Sequence, residues 1–277
     1  MKKIIIIYSI IVAMGSAFAQ TVKDYREDAK KGDTVAQYNL GQCYYKGDGV
    51  KKKYSKAVYW WKKAAKQGHA NAQWKLGYCY KFGDGVKKDT TQTIYWWKKA
   101  AEQGYVKALY SLGRHYVPRP RKGKRDFTQS AYWFEKAAEQ GDIKSQLMMG
   151  RYYLFGMGVT KDTAQAIYWY GKAAEQGDVS SQLRLGDYYY EEGVSQDYVQ
   201  AVYWYKKAAE QGYAWSQYRL GLCYENGEGV PENKSYALYY YQKAAENKKN
   251  LNEEQISSIE TKIQELKTEE YEAIEPE

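Results

Sequence analysis

Side chains suited to bond-making chemistry are few in this sequence. Two histidines, His69 and His115, and three cysteines, Cys43, Cys79 and Cys223, stand far apart along the chain. They form neither His-Glu-x-x-His nor Cys-x-x-Cys, so no zinc site is expected. No serine beyond residue 19 is followed three positions later by lysine, and Ser-Asp-Asn and Lys-Thr-Gly do not occur. An acylating serine would therefore lack its base. Carboxylate pairs fall on helix faces read as exposed and in the acidic C-terminal segment, where desolvation cannot tune them for acid and base work. No catalytic residue, cofactor or metal is expected. What the chain does hold in excess is 32 Tyr and 9 Trp beside 42 Lys+Arg. Rings interleaved with cations are the material of recognition surfaces rather than of catalysis.

That usage is lopsided in a way that points to one short template copied many times. The 277 residues are 44% apolar and 27% charged, a folded composition. The copies are marked by Leu-Gly or Met-Gly: Gly41, Gly77, Gly113, Gly150, Gly186 and Gly221 follow at intervals of 36, 36, 37, 36 and 35. An Ala-Ala pair, from Ala64-Ala65 to Ala244-Ala245, keeps the same rhythm. Each unit reads as two helices. The first carries apolar residues at helical spacing, such as Ala36, Leu40 and Tyr44, with Gly41 expected to admit a neighbouring backbone. It closes in a Gly-x-Gly-Val turn, as in Gly83-Asp84-Gly85-Val86. That turn follows a helix and lacks Gly-Lys-Ser/Thr, so it is not a phosphate cradle. The second helix opens on a capping box such as Asp89-x-x-Gln92 and runs through an aromatic trio such as Tyr95-Trp96-Trp97, read as packing.

The pattern Ala-x-x-Leu-Gly-x-x-Tyr, Gly-x-Gly-Val, Asp, then Ala-x-x-Trp-Tyr-x-Lys-Ala-Ala-Glu-Gln-Gly, nearly complete from Ile143 to Asp178, resembles the SEL-one-like repeat family, relatives of the tetratricopeptide repeats. The resemblance implies an all-α, right-handed α/α superhelical solenoid and an adaptor or scaffold role in protein complexes. It divides the chain into repeats at about 34–69, 70–105, 106–142, 143–178, 179–213 and 214–247. Residues 20–33 then read as an N-terminal capping helix. Residues 248–277 read as a C-terminal capping helix and acidic tail, with Ile256, Ile259, Ile263 and Leu266 on one apolar edge. A cysteine-rich, exported bacterial branch of the family bridges the two helices of each unit, which takes paired cysteines that this chain lacks. Some members of that branch are described as β-lactamase-like or penicillin-binding, which supplies the alternative reading as a hydrolase. Cys43, Cys79 and Cys223 occupy one equivalent first-helix position on different units and are expected to stay unbridged.

The first nineteen residues read as a signal peptide. Lys2 and Lys3 precede an apolar run from Ile4 to Met14, and Ala17-Phe18-Ala19 offers a cleavage site before Gln20. The mature chain is expected in the periplasm or outside the cell, with no transmembrane segment.

Two surfaces follow by subtracting the packing positions. Offset from the packing stripe of each first helix, residues at i, i+4 and i+7 are expected to line a partner-binding groove on the concave side. They are Tyr38, Gln42 and Tyr45; Trp74, Tyr78 and Lys81; Tyr110 and Arg114; Leu147 and Arg151; Leu183 and Tyr190; and Tyr218. A protein or peptide is the expected partner. Residues 251–277 carry net −7, so the mature segment before them carries net +14. Lys51, Lys52 and Lys53, then Lys87 and Lys88, then Arg119, Arg121, Lys122, Lys124 and Arg125 occupy the loops between paired helices of the first three units. This basic ridge reads either as a solvated rim or as a surface for acidic protein or an anionic envelope component such as glycan or lipid headgroups. Export and the lack of any nucleic-acid motif argue against nucleic acid.

Overall fold

The computed structural model describes residues 22–117, 126–191, 196–247 and 251–272, with side chains through 268. The signal segment and the ridge residues Arg119, Arg121, Lys122, Lys124 and Arg125 lie outside the described residues. The chain divides into two compact units, Met1–Gln140 and Gly141–Glu277.

Among the described residues every regular element is a helix. Unit 1 holds α1 (22–31), α2 (Thr34–Lys46), α3 (Tyr54–Lys66), α4 (Ala70–Phe82), α5 (Thr90–Ala101), α6 (Val106–Tyr116) and α7 (Phe127–Glu139). Unit 2 holds α8 (Ile143–Phe155), α9 (Thr163–Glu175), α10 (Val179–Tyr190), α11 (Tyr198–Glu210), α12 (Ala214–Asn226), α13 (Lys234–Glu246) and α14 (Glu253–Glu272). From α2 to α7, and again from α8 to α14, each helix packs on the next, which is the serial architecture of an α/α solenoid.

Helix starts are set by side-chain caps. Asp89, Asp126, Asp162 and Asp197 each accept the backbone N–H three residues on, at 2.8–3.0 Å. Repeat 1 departs from this rule, since Lys53 precedes α3 and offers no cap bond. First helices are capped by Asp33, Asp142 and Asp178, and in α4 by His69, whose Nδ1 accepts the Ala72 N–H at 3.3 Å. At the far end, Asn252 and Gln255 form a reciprocal box at the start of α14. Ile259 and Leu266 of that helix are buried against Ala244 and Tyr241.

The marker glycine of each first helix makes room for a ring, not for the neighbouring backbone that the sequence led us to expect. A Cβ on Gly77 would stand 2.5 Å from Trp97 Cδ1, and one on Gly221 2.5 Å from Tyr241 Cε1. The third ring of every aromatic trio fills this notch and is buried, from Trp61 through Tyr241. Trp61 and Trp97 also donate their indole N–H groups to the first-helix carbonyls of Tyr38 and Trp74, at 3.2 and 3.1 Å. The first ring of each trio is half-exposed instead, lying edge-on against its neighbour as in Tyr59–Trp60 and Tyr203–Trp204. Reading the trio as packing therefore holds fully for its third ring, in part for its second, which is buried in Trp96 and Trp169 and half-buried in the other repeats, and not for its first.

Successive repeats are tied by a ladder of buried glutamines. Gln37, Gln73, Gln182 and Gln217 each donate to the carbonyl of an alanine in the preceding helix, Ala29, Ala65, Ala174 and Ala209, at 3.1–3.2 Å. Gln37, Gln73, Gln146 and Gln182 also accept from the glutamine that closes their own repeat, each at 2.8 Å. Burying these amides costs little where both ends find partners inside the protein, as in Gln37, Gln73 and Gln182, whereas the buried side-chain oxygen of Gln217 finds none among the described residues. In repeat 3 the position is Leu109, which is buried as plain apolar core.

Candidate partner-binding site

In unit 1, three of the expected groove residues meet in one cleft. Tyr45, Trp74 and Tyr78, with Trp61, Lys75 and Cys79, line a space of about 420 Å³. Tyr45 comes from the last turn of α2 and the other groove residues from α4, so the cleft opens where repeat 1 meets repeat 2. The Tyr45 and Trp74 walls are pinned from behind. The Tyr45 hydroxyl donates to Asp84 of the following Gly-x-Gly turn at 3.1 Å, and burial together with that carboxylate pushes its pKa up. Trp74 donates through Nε1 to Ser111 of repeat 3 at 3.0 Å. Tyr78 is exposed and leans on Phe82, with ring centroids 4.5 Å apart.

The other groove candidates of unit 1 lie outside this cleft. Tyr38 stacks on His69 at 4.5 Å and an interplanar angle of 17°. Gln42 is half-buried, and its side-chain oxygen is buried without a hydrogen-bond partner. Lys81 lies over the rings of Trp97 and Phe82 at 5.1 and 5.3 Å. Tyr110 packs on Phe134, and exposed Arg114 donates to the Tyr110 hydroxyl at 3.4 Å.

Unit 2 uses the same positions differently. Leu147 and Leu183 are half-buried and pack against the Tyr170 and Tyr205 core clusters. Arg151 is exposed. Tyr190 donates to Glu228 at 2.7 Å, as Tyr45 does to Asp84, and Tyr218 stacks on Trp215 at 4.7 Å. The row of ring positions is thus open in the first two repeats and taken up by packing in unit 2.

Sequence reasoning missed Lys75. Its ammonium lies over Trp74, Tyr45 and Trp61 at 5.1, 5.7 and 5.9 Å, and Lys107 lies over the Trp74 ring at 5.7 Å. Burial, then the nearby Lys107, lowers the Lys75 pKa from its usual value. The available signal was its place immediately before the Leu-Gly marker, a column that also holds Arg184 and Arg219. Arg184 lies over the Tyr170 ring at 5.6 Å, and Arg219 over Tyr190 and Trp215 at the same distance.

Of the ridge, Lys51, Lys52, Lys53, Lys87 and Lys88 are all exposed. Their two loops share one conformation, closed by bonds from Lys53 N to Tyr44 O and from Asp89 N to Tyr80 O. Cys43, Cys79 and Cys223 are unbridged, and burial pushes the last two thiols up to about 12. Among the described residues there is no group of three or more His, Cys, Asp or Glu placed to hold a metal, and no helix long and apolar enough to cross a membrane.

Comparison with known proteins places this geometry. The Sel1 repeat pattern matches residues 34–69, 70–105, 106–142, 143–178, 179–213 and 216–249. A protective antigen of uropathogenic Escherichia coli displaying an SLR fold is similar at 40% identity and a TM-score of 0.72, over 82% of this chain and 49% of that one. A Sel1 repeat protein of Oxalobacter formigenes is similar at 31% identity and a TM-score of 0.58, over 89% of this chain and 98% of that one. A sel1-like repeat-containing protein of Acanthamoeba polyphaga mimivirus is 59% identical over 32 residues, 12% of this chain and 6% of that protein. The chain thus spans about half the length of the Escherichia coli antigen and a small part of the viral protein. Six matched repeats and two solved relatives establish that the chain belongs to the Sel1-repeat family, whose members generally mediate protein–protein interaction.

Proposed function

We propose that the chain is an exported interaction scaffold that holds a peptide segment or protein surface against the first-helix face of its repeats. The observation that carries this reading is the cleft of about 420 Å³ walled by Tyr45, Trp61, Trp74 and Tyr78. The rings of Tyr45, Trp61 and Trp74 are fixed from behind by hydrogen bonds, so little of their side-chain freedom is lost when a partner covers the cleft. Aromatic residues already immobilised in a water-excluding cleft are the usual anchors of binding energy. Export rests on the basic start, apolar run and Ala-Phe-Ala of the first nineteen residues, and puts the partner in the periplasm or outside the cell. The exposed lysine loops supply a second, electrostatic contact for an anionic envelope component.

The test is capture from envelope extracts by the mature chain, with crosslinking and mass spectrometry to name what is held. Trp74→Ala combined with Tyr78→Ala should lose the partner. Tyr78→Ala alone, at an exposed position, weakens capture with less risk to folding. Undiminished capture by the folded double variant would overturn the reading. Nitrocefin turnover by the wild-type chain would instead favour a hydrolase, and N-terminal sequencing of the exported form should begin at Gln20.

A further inference from the structure

Repeats 1 and 2 and repeats 5 and 6 present the same constellation with one exchange of charge. Tyr45 and Asp84 correspond to Tyr190 and Glu228, Trp61 to Tyr205, and Lys75 to Arg219. In unit 2 the cation is answered within the protein: Arg219 Nε lies 3.2 Å from Asp187 Oδ1, an ion pair set by charge and distance rather than by an aligned hydrogen bond. The Tyr205 hydroxyl donates to the same carboxylate at 2.9 Å. In unit 1 the residue at the Asp187 position is Gln42, a neutral amide whose buried oxygen has no partner among the described residues. Among the described residues Lys75 forms no ion pair, and neither does Lys107 on the same Trp74 ring. The carboxylate of the following turn, Asp84, is engaged by the Tyr45 hydroxyl. A half-buried ammonium over three rings, with a second cation beside it, therefore faces a cleft with no carboxylate among its described lining residues.

We propose that this cleft seats a carboxylate side chain of an acidic segment of a partner protein on Lys75, between the rings of Tyr45 and Trp74. The proposal rests on the scaffold reading above and names the partner's chemistry. Charge complementarity selects the occupant. The partner carboxylate takes the role that Asp187 fills inside unit 2, and in a half-buried cleft such a charge-assisted bond is stronger than in water. The space accommodates an acidic side chain with its flanking backbone.

The experiment selects a phage-displayed library of random linear peptides on the mature chain, then measures fluorescein-labelled selected peptides by anisotropy. Selected sequences should carry Asp or Glu at a common position, and replacing it by Asn or Gln should weaken binding. Lys75→Met keeps the aliphatic stem on the rings and should lower affinity about tenfold or more, while Lys75→Arg retains it. Gln42→Asp supplies the internal carboxylate seen in unit 2 and should weaken binding to a similar extent without touching the ligand-facing rings. Selected peptides that lack an acidic residue, or that bind Lys75→Met equally, would overturn the proposal and leave the scaffold reading standing. If no peptide is retained above the Trp74→Ala plus Tyr78→Ala variant, both fall. A dimer that forms without peptide and depends on Lys75 would put the acidic C-terminal segment of a second copy in the cleft, and would overturn the partner assignment.

Discussion

Replacing Gly77 by alanine should destabilise unit 1 by about 3 kcal/mol, although alanine is the better helix former. Helix propensity alone favours the change by about 1 kcal/mol. The added Cβ, however, would stand 2.5 Å from Trp97 Cδ1, 2.6 Å from Nε1 and 3.1 Å from the Thr93 carbonyl oxygen. The indole must retreat by roughly 1 Å to reach ordinary contact, in a site where it is only 1% exposed. Overpacking of this kind costs about 1–3 kcal/mol. The retreat also breaks the Trp97 bond to the Trp74 carbonyl, 3.1 Å long, and leaving the buried indole N–H unsatisfied costs about 1–3 kcal/mol more. Urea titration followed by circular dichroism and tryptophan fluorescence measures the loss. Gly171 provides the internal control: it is also helical, but nothing lies within 4 Å of its would-be Cβ. Gly171→Ala should be neutral or stabilising by up to about 1 kcal/mol. Combining Gly77→Ala with Trp97→Leu should cost less than the two changes added separately, because the shortened side chain no longer meets the new methyl. If Gly77→Ala proves as stable as the parent, or if Gly171→Ala costs as much, the notch account of the marker glycine is wrong.

Two further outcomes follow from groups described above. His69 caps α4 through a neutral Nδ1, and burial lowers its pKa below the usual 6.5. The unfolded chain therefore takes up the proton first, so this stabilisation is complete above the ordinary histidine range and declines as pH falls through it toward the lower native value. Urea midpoints at about pH 7.5 and 5.5 should show wild type losing more stability than His69→Asn, whose amide caps without titrating; parallel losses would contradict the cap. Cys43 is half-exposed, whereas Cys79 and Cys223 are buried with thiols pushed up to about 12. An aromatic disulfide reagent at pH 8 should modify Cys43 first and the other two only on adding denaturant, and equal rates for all three would refute that burial.

The repeat frame could be read from the sequence because its signals are local. Asp89 announces a helix start by accepting the Gln92 N–H, chemistry that needs no neighbour, although the Gln92 side chain accepts from Trp96 instead of closing the expected box, because the Asp89 N–H already bonds the Tyr80 carbonyl. Whatever depends on the adjoining repeat was hidden. Gln37 and Gln73 look like surface residues until a carbonyl from the preceding helix is placed beside them. Lys75 reads as solvent-facing until Tyr45 and Trp61 of the previous repeat close around it. The aromatic trios carry no mark of which ring turns inward, and only the notch opened by the marker glycine selects the third. Of the candidate site, Tyr45, Trp74 and Tyr78 were legible as an offset stripe, but the same stripe named Leu147 and Leu183, which serve packing.

The glutamine ladder also acts as a ruler. Gln37, Gln73, Gln182 and Gln217 each reach a carbonyl eight residues back, whereas the glutamine pairs that close a repeat span 30, 30, 30 and 29 residues. Length can vary inside a repeat, across the loop joining its two helices, but not at the junction where one repeat hands over to the next. An extra residue in that loop leaves both amide bonds in register; the same residue added between Ala65 and Gln73 would carry the amide out of reach of its carbonyl. Chain growth and loop grafting in this protein are thereby channelled to the loop between the two helices of a repeat, the loop that carries Lys51, Lys52 and Lys53 in repeat 1 and Lys87 and Lys88 in repeat 2.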